Sequence, residues 1–190
     1  MRILHSMDEF DGAGCVVALG TFDGAHLGHA RLIEKTVELA REMNLPAAAL
    51  TFDRHPLSLI RPDHVPPPLT SNAEKEALLE ALGLNILIEE PFTAAFAVQT
   101  PEEYLARITK ALRPRAVAAG YNHSYGRGGR GDAALLQSLG EALHYRPVIV
   151  GPVCVDGEPV SSTRIRALLA AGKRGEAERL AGHGLNYPEI

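Results

Sequence analysis

Apolar positions along the chain alternate between short unbroken runs and stretches with helical spacing. The run CVVALG (Cys15–Gly20) has no polar position to mark a solvent face, so it predicts a strand buried on both sides. HARLIEKTVELAREM (His29–Met43) sets Leu32, Ile33, Val37, Leu39 and Ala40 on one apolar stripe and predicts a helix. Asn44 offers a left-handed cap there and Pro46 forbids continuation. AAALTF (Ala47–Phe52) is the next strand. Ser71 with Glu74 forms a capping box that opens a helix over Asn72–Leu82, and Gly83 closes it. NILIEE follows as a strand, then Thr100, Pro101 and Glu103 open the helix PEEYLARITKAL. The strand RAVAAG, the helix DAALLQSLGEAL, the strand RPVIVG and the helix STRIRALLAAG, stopped by Gly172, complete the series. No internal repeat appears, and RPDHVPPPLT (Arg61–Thr70) reads as an ordered surface loop.

Buried strands alternating with amphipathic helices predict an α/β protein with an open parallel sheet flanked by helices. In such sheets ligands bind beyond the carboxyl ends of the strands. Four polar clusters follow strands and therefore share that edge: His26 with His29, DRHP (Asp53–Pro56), GYNHSYGRGGRGD (Gly120–Asp132) and SSTRIR (Ser161–Arg166).

Composition narrows the chemistry. The 190 residues suffice for one domain with a normal core, and the formal net charge of -4 gives no basic field for nucleic acid or an anionic membrane. Phosphate chemistry, if present, must rest on local donors. Cys15 and Cys154 both sit in apolar, strand-like runs, so buried reduced thiols and a cytoplasmic location are expected. No apolar run approaches membrane-spanning length, and no signal peptide is recognisable.

The stretch GTFDGAHLGH concentrates the local donors. Gly20, Gly24 and Gly28 permit tight turning and close approach to a ligand. A helix starting near Leu27 aims unsatisfied N–H groups at that turn, which favours phosphate by roughly 0.3–1 kcal/mol. His26 and His29, three residues apart, share a helical face and can donate to one phosphate chain. The lysine of a Walker loop and the glycine spacing of a dinucleotide turn are both missing. A metal pair lacks a third ligand at the usual spacing, so phosphate binding by imidazoles and backbone is the favoured reading.

GTFDGAHLGH also matches GxFDxxHxGH, and SSTRIR matches SSTxxR, the two signatures of the nucleotidyltransferase superfamily. With TFDRHP, LTSNAEKEALLEALG, PFTAAFAVQTPEEY and GYNHSYGRGGRGD in this order, the chain resembles the adenylyltransferase (FAD synthetase) module of bacterial bifunctional riboflavin kinase/FMN adenylyltransferases from about Gly14 to Ala181. The resemblance implies a Rossmann-like fold of nucleotidyltransferase type and transfer of the adenylyl group of ATP to FMN, giving FAD and pyrophosphate, with magnesium. It implies His26, His29 and Arg166 as catalytic residues. It also implies an ATP site made of Gly20, Thr21, Phe22, Asp23, His26, His29, Asn122, Ser162, Thr163 and Arg166. In the second clamp Ser162 or Thr163 is expected to cap the helix, and Arg164 to lie on the surface. Asp53, His55 and Pro56 are expected beside the acceptor, with Arg54 where the family has proline. No protein metal ligands are implied.

The flavin is expected near RPDHVPPPLT and PFTAAFA, with Phe92 and Phe96 as apolar contacts. The FMN phosphate, whose second pKa is about 6, is already anionic, so no strong general base is needed. The end of the chain, LAGHGLNYPEI, lacks the family's linker pattern, so one adenylyltransferase-like domain over residues 1–190 without a riboflavin kinase domain is expected. Two further readings stand beside this one. They are transfer to another phosphorylated acceptor, such as phosphopantetheine or nicotinamide mononucleotide, or cytidylyl transfer from CTP, and a flavin- or nucleotide-binding relative without catalysis.

Overall fold

The computed structural model describes residues 1–187. Its elements run β1 (Arg2–Leu4), β2 (Val16–Leu19), α1 (Leu27–Glu42), β3 (Ala47–Phe52), α2 (Leu57–Ile60), α3 (Asn72–Ala81), β4 (Ile86–Glu90), α4 (Ala94–Ala97), α5 (Pro101–Leu112), β5 (Ala116–Gly120), α6 (Ala133–Ser138), β6 (Arg146–Val150), β7 (Cys154–Val155), β8 (Glu158–Pro159), α7 (Ser162–Ala170) and α8 (Arg174–Ala181). Six strands form one parallel sheet in the order β1-β4-β3-β2-β5-β6, and β7 and β8 form a separate antiparallel hairpin.

The unbroken apolar runs have a direct cause. In β2, Val17 and Leu19 enter the core on one face of the sheet while Val16 and Ala18 enter the core on the other. Successive side chains point to opposite faces, so a strand covered on both sides has no polar position. One layer sets Leu105, Ile108 and Leu112 of α5 against the sheet. The other sets Leu32, Ile33, Val37 and Ala40 of α1 on the small residues Ala18, Ala47, Ala49, Ala116 and Ala118. Each Leu or Ile so buried contributes about 1.5–3 kcal/mol. Both capping boxes form, Ser71 with Glu74 and Thr100 with Glu103. Asn44, at φ 53°, takes the left-handed cap after α1.

The structure departs from the sequence expectations at short elements. β1, α4 and α8 have no long apolar pattern and were not foreseen, and α6 stops at Ser138 rather than running on to Leu143. Cys15 is buried as expected, but Cys154 is exposed. Gly151 and Pro152 end the apolar run, and Asp156 and Gly157, with φ of 56° and 81°, turn β7 back onto β8 at the surface. A third, smaller core packs α7 and α8 through Ile165, Ala177 and Leu180 against Leu69 and Val160, which closes the sheet's ligand edge.

The box on α5 gives a clean test of the local rules. Thr100→Ala removes the acceptor for the Glu103 N–H, 3.2 Å away. It should lower stability by about 0.5–2 kcal/mol with no change in cooperativity, read from urea denaturation.

Candidate active site

The four polar clusters do meet at the carboxyl edge of the sheet. A cavity of about 370 Å³ is lined by Gly20, Thr21, His26, His29, Asn122, Ser162 and Thr163, with Gly28 and Ser161 among their neighbours. A second cavity of about 210 Å³ adjoins it and holds Asp23, Asp53, His55 and Pro56. Thr21, Phe52 and Pro56 line both. Two residues expected to contact nucleotide, Phe22 and Arg166, line neither.

The loop from β2 to α1 is wound tightly. Phe22 and Ala25 hold φ of 51° and 37°, and Gly24 holds 77°. The Phe22 ring is wholly buried and fills the space over Gly20, where a Cβ would lie 3.1 Å from it. Phe22 is thus a core anchor for the loop. At Gly28 a Cβ would lie 3.1 Å from His26 Cε1, so this glycine makes room for the imidazole. His26 is the N-cap of α1: its Nδ1 accepts the His29 N–H at 3.3 Å. That bond fixes the proton on Nε2, leaving Nε2–H as the outward donor. The His29 ring stacks on the His26 ring at 3.8 Å, and its own Nδ1 is buried without a partner. Burial pushes His26 down to about 4 and His29 well below the ordinary histidine range, with the neighbouring imidazoles adding to the effect at His29. Both rings are neutral donors at neutral pH.

Asp23 organises the second clamp. Its Oδ1 accepts the Leu69 N–H at 2.9 Å, its Oδ2 pairs with Arg166 Nη2, and its carbonyl accepts from Ser162 Oγ at 3.0 Å. Arg166 Nε donates to the Pro67 carbonyl at 2.9 Å. The guanidinium expected to face phosphate is therefore held against a carboxylate, because Asp23 and Arg166 are both mostly buried and neither could be left unpaired. The cap of α7 is Ser161, which accepts the Arg164 N–H at 3.2 Å, rather than Ser162 or Thr163. Arg164 is partly buried rather than a free surface residue. It donates to the carbonyls of Val155 and Glu158 at 3.1 and 2.9 Å and so braces the β7–β8 hairpin. His183 Nε2 lies 2.8 Å from the Gly24 carbonyl and ties the chain beyond α8 to the same loop.

Around the smaller cavity, Asp53 Oδ1 accepts the Phe92 N–H at 2.9 Å and Oδ2 pairs with Arg54 at 3.1 Å. Burial pushes the carboxyl up, but the Phe92 N–H and the Arg54 guanidinium outweigh it and hold Asp53 below its ordinary range. Arg54 is thereby engaged with its neighbour. His55 Nδ1 accepts the Leu57 N–H at 3.1 Å, and burial lowers its pKa. Val65, Pro66 and Pro68 of the proline-rich loop do reach this cavity. Phe92 and Phe96 do not. They pack with Phe52 and Tyr104 in an edge-to-face cluster within the core, and of these rings Phe52 is the one that faces both cavities.

Sequence reasoning missed His123, one residue beyond Asn122. It lines the larger cavity, its Nε2 is buried without a partner, and burial pushes it down to about 4. The signal was its place in GYNHSYG, directly after a buried strand. Among the described residues, no three His, Cys, Asp or Glu side chains gather as a metal-binding set, and no carboxylate lines the larger cavity. No helix among them is long and apolar enough to cross a membrane.

A parallel α/β sheet whose first ligand loop carries stacked histidines at a helix N-terminus, faced by a second Ser–Arg loop, defines a nucleotidyltransferase-type domain. The pattern of the FAD synthetase family matches residues 9–164. The chain belongs to the FAD synthetase family. It is 33% identical over 184 residues to the bifunctional riboflavin kinase/FMN adenylyltransferase of Escherichia coli K12, covering 96% of this chain and 59% of that protein. It is 32% identical to the FAD synthetase of Listeria monocytogenes, covering 91% of this chain and 70% of that one. A solved structure described as a macrolide-efflux protein from Streptococcus pneumoniae shares the fold, with a TM-score of 0.81 and 27% identity over 95% of this chain and 59% of that one. The chain thus spans about 59% of the length of the first curated relative that it matches.

The neutral histidines set a pH dependence. Their folded pKa values, about 4 for His26 and His123, lie below the unfolded value of about 6.5, so the unfolded chain binds more protons between those limits. Stability is therefore fully present above pH 6.5 and is lost as pH falls toward 4, by up to about 1.4 kcal/mol per pH unit for each histidine. Urea titrations at pH 7 and pH 5 should show this slope. His123→Phe should remove one histidine's share of it.

Proposed function

We propose that this chain transfers the adenylyl group of ATP to FMN, giving FAD and pyrophosphate. The observation that carries the reading is the seam of the two cavities. Thr21, Phe52 and Pro56 belong to both, so a nucleotide in the larger one meets an acceptor in the smaller one beside the histidine loop.

In this reading a phosphate oxygen of FMN attacks the α-phosphorus of ATP. One P–O bond forms there, the bond from the α-phosphorus to the bridging oxygen breaks, and pyrophosphate leaves with that electron pair. The nucleophile is already an anion, so the protein's task is alignment and relief of negative charge. His26 Nε2–H, His29 and the N-terminus of α1 donate to the phosphates. Thr21, Ser162 and Thr163 supply hydroxyl donors from the facing loops. Arg166 acts by holding Asp23, and through it the loop that carries the histidines. Asn122 stands at the nucleotide from the β5 side. Asp53, His55 and Pro56 shape the acceptor side. Magnesium enters with ATP as part of the substrate, since no carboxylate of the larger cavity is available to hold it as a resident ion. In this reading residues 1–190 act as one adenylyltransferase-like domain, and an ATP-consuming flavin enzyme of this kind acts in the cytoplasm.

The purified chain with ATP, magnesium and FMN should release pyrophosphate and yield FAD, whereas riboflavin in place of FMN should yield no product. Chromatography of the two mixtures decides it. FMN left unchanged while another phosphorylated acceptor reacts would move the reading to that acceptor.

The histidines give a sharper test. His26→Asn keeps a helix-capping acceptor and removes the Nε2 donor, and His29→Ala removes its partner. Each should lower kcat by about 10²–10³, the usual loss for one oxyanion donor, with little change in FMN binding. Activity within threefold of wild type in both variants would remove the proposed role.

A further inference from the structure

The smaller cavity contains a cation that the reaction described above does not use. Lys75 stands in the first turn of α3 and is only 7% exposed. It lines the smaller cavity with Phe52, Val65 and Pro66, and it does not line the larger one. Its polar partners are distant: Glu89 Oε1 on β4 at 3.5 Å and Asn72 Oδ1 at 3.5 Å. Charge-assisted hydrogen bonds of this kind normally run about 2.7–2.9 Å. Glu89 Oε1 itself has no hydrogen-bond partner, and His5 Nδ1 lies 3.9 Å from Glu89 Oε2.

The neighbouring residue provides an internal comparison. Glu90 is buried too, more deeply than Glu89, and its two oxygens are closed by Arg107 at 2.5 Å and by the Met7 N–H at 2.6 Å. That pair is finished; the Lys75–Glu89 pair is not. An ammonium carries three donors, and those of Lys75 have only two long contacts to share. A buried charge pair is costly when its hydrogen bonds are incomplete, so one that borders a cavity is placed to be completed by what enters.

We propose that Lys75 is a specificity-determining residue of the acceptor cavity, donating to a carbonyl oxygen on the edge of the acceptor's ring. The proposal rests on the reading of the acceptor as FMN, whose ring system ends in a pyrimidinedione edge with two carbonyl groups. Phe52, Val65 and Pro66 offer apolar walls to a flat ring; of the two cations lining the cavity, Arg54 is exposed and paired with Asp53 at 3.1 Å, whereas Lys75 is buried with only long contacts. Because Lys75 lies away from the larger cavity, its charge acts on the ring of the acceptor and not on the nucleotide phosphates. A phosphorylated acceptor without a carbonyl-bearing ring gains nothing from it.

The test separates recognition from simple pairing with Glu89. Lys75→Met alone leaves Glu89 buried and unpaired and is expected to lower the melting temperature. Lys75→Met with Glu89→Gln removes both charges and should restore it. FMN affinity is measured by quenching of flavin fluorescence, and KM is measured for FMN and for ATP. In the double variant the FMN Kd and KM should rise by about ten- to a hundredfold, the range for one hydrogen bond to a charged group, while KM for ATP stays within twofold. Recovery of FMN affinity together with the melting temperature would overturn the proposal, leaving Lys75 as a partner of Glu89 only. A parallel rise in KM for ATP would also overturn it. Absence of FMN binding by the unmodified chain would overturn the FMN reading itself, and that outcome is visible before any variant is made.

Discussion

Asp23 ties together three stretches of chain that are remote in sequence: the histidine loop, the proline-rich loop and α7. It takes the N–H of Leu69 from the proline-rich loop and the guanidinium of Arg166 from α7, while the same residue's carbonyl takes the hydroxyl of Ser162. The geometry of the cleft depends on this node. Removing one partner from a mostly buried ion pair leaves a charge that neither water nor protein answers, which typically costs about 3–5 kcal/mol. The loops are therefore set before any ligand arrives, and the ordering of the site is supplied by folding rather than by binding.

The electrostatics of the histidine loop follow the same economy of charge. A phosphate site built from lysines would hold strong mutual repulsion whenever it stood empty. Here burial keeps His26, His29 and His123 neutral, and the bond from the His29 N–H to His26 Nδ1 serves two purposes. It caps α1 and it selects the tautomer whose outer nitrogen donates. Local helix formation and ligand chemistry thus share one hydrogen bond. Gly28 is part of that arrangement because any side chain there would press on the imidazole.

Much of the fold was legible in the sequence, for identifiable reasons. The strands of the sheet are uninterrupted apolar runs because both faces are covered, and the capping boxes at Ser71 and Thr100 are local signals that need no distant partner. The convergence of the four polar clusters followed from the parallel topology alone. What was not legible depends on contacts between remote segments. Three-residue β1 exists because β4 pairs with it. Arg166 reads as a phosphate ligand until Asp23 is seen beside it, and Arg164 reads as surface until the hairpin carbonyls are seen around it. Ser161, Ser162 and Thr163 are interchangeable as caps in sequence; the phase of α7 chooses Ser161. Lys75 looks like an ordinary exposed lysine of an amphipathic helix, and its burial is decided by Glu89 and the proline-rich loop. Cys154 followed the apolar run, whereas the Asp156–Gly157 turn was the better signal.

The node at Asp23 also bears on how the chain acquires its structure in time. Asp23 and Arg166 are 143 residues apart, and Gly24 and His183 are 159 apart. All six strands of the main sheet lie before Gly151, so the residues of the sheet leave the ribosome ahead of the last partners of the histidine loop. Closing loops of such length is entropically slow, and contacts of high sequence separation govern the folding rates of proteins with this topology. The loop that carries His26 and His29 is made before Arg166 and His183, so its full set of contacts cannot close until both are present. Competence to bind therefore trails the formation of secondary structure, and the helices beyond the sheet act as the completing step of maturation.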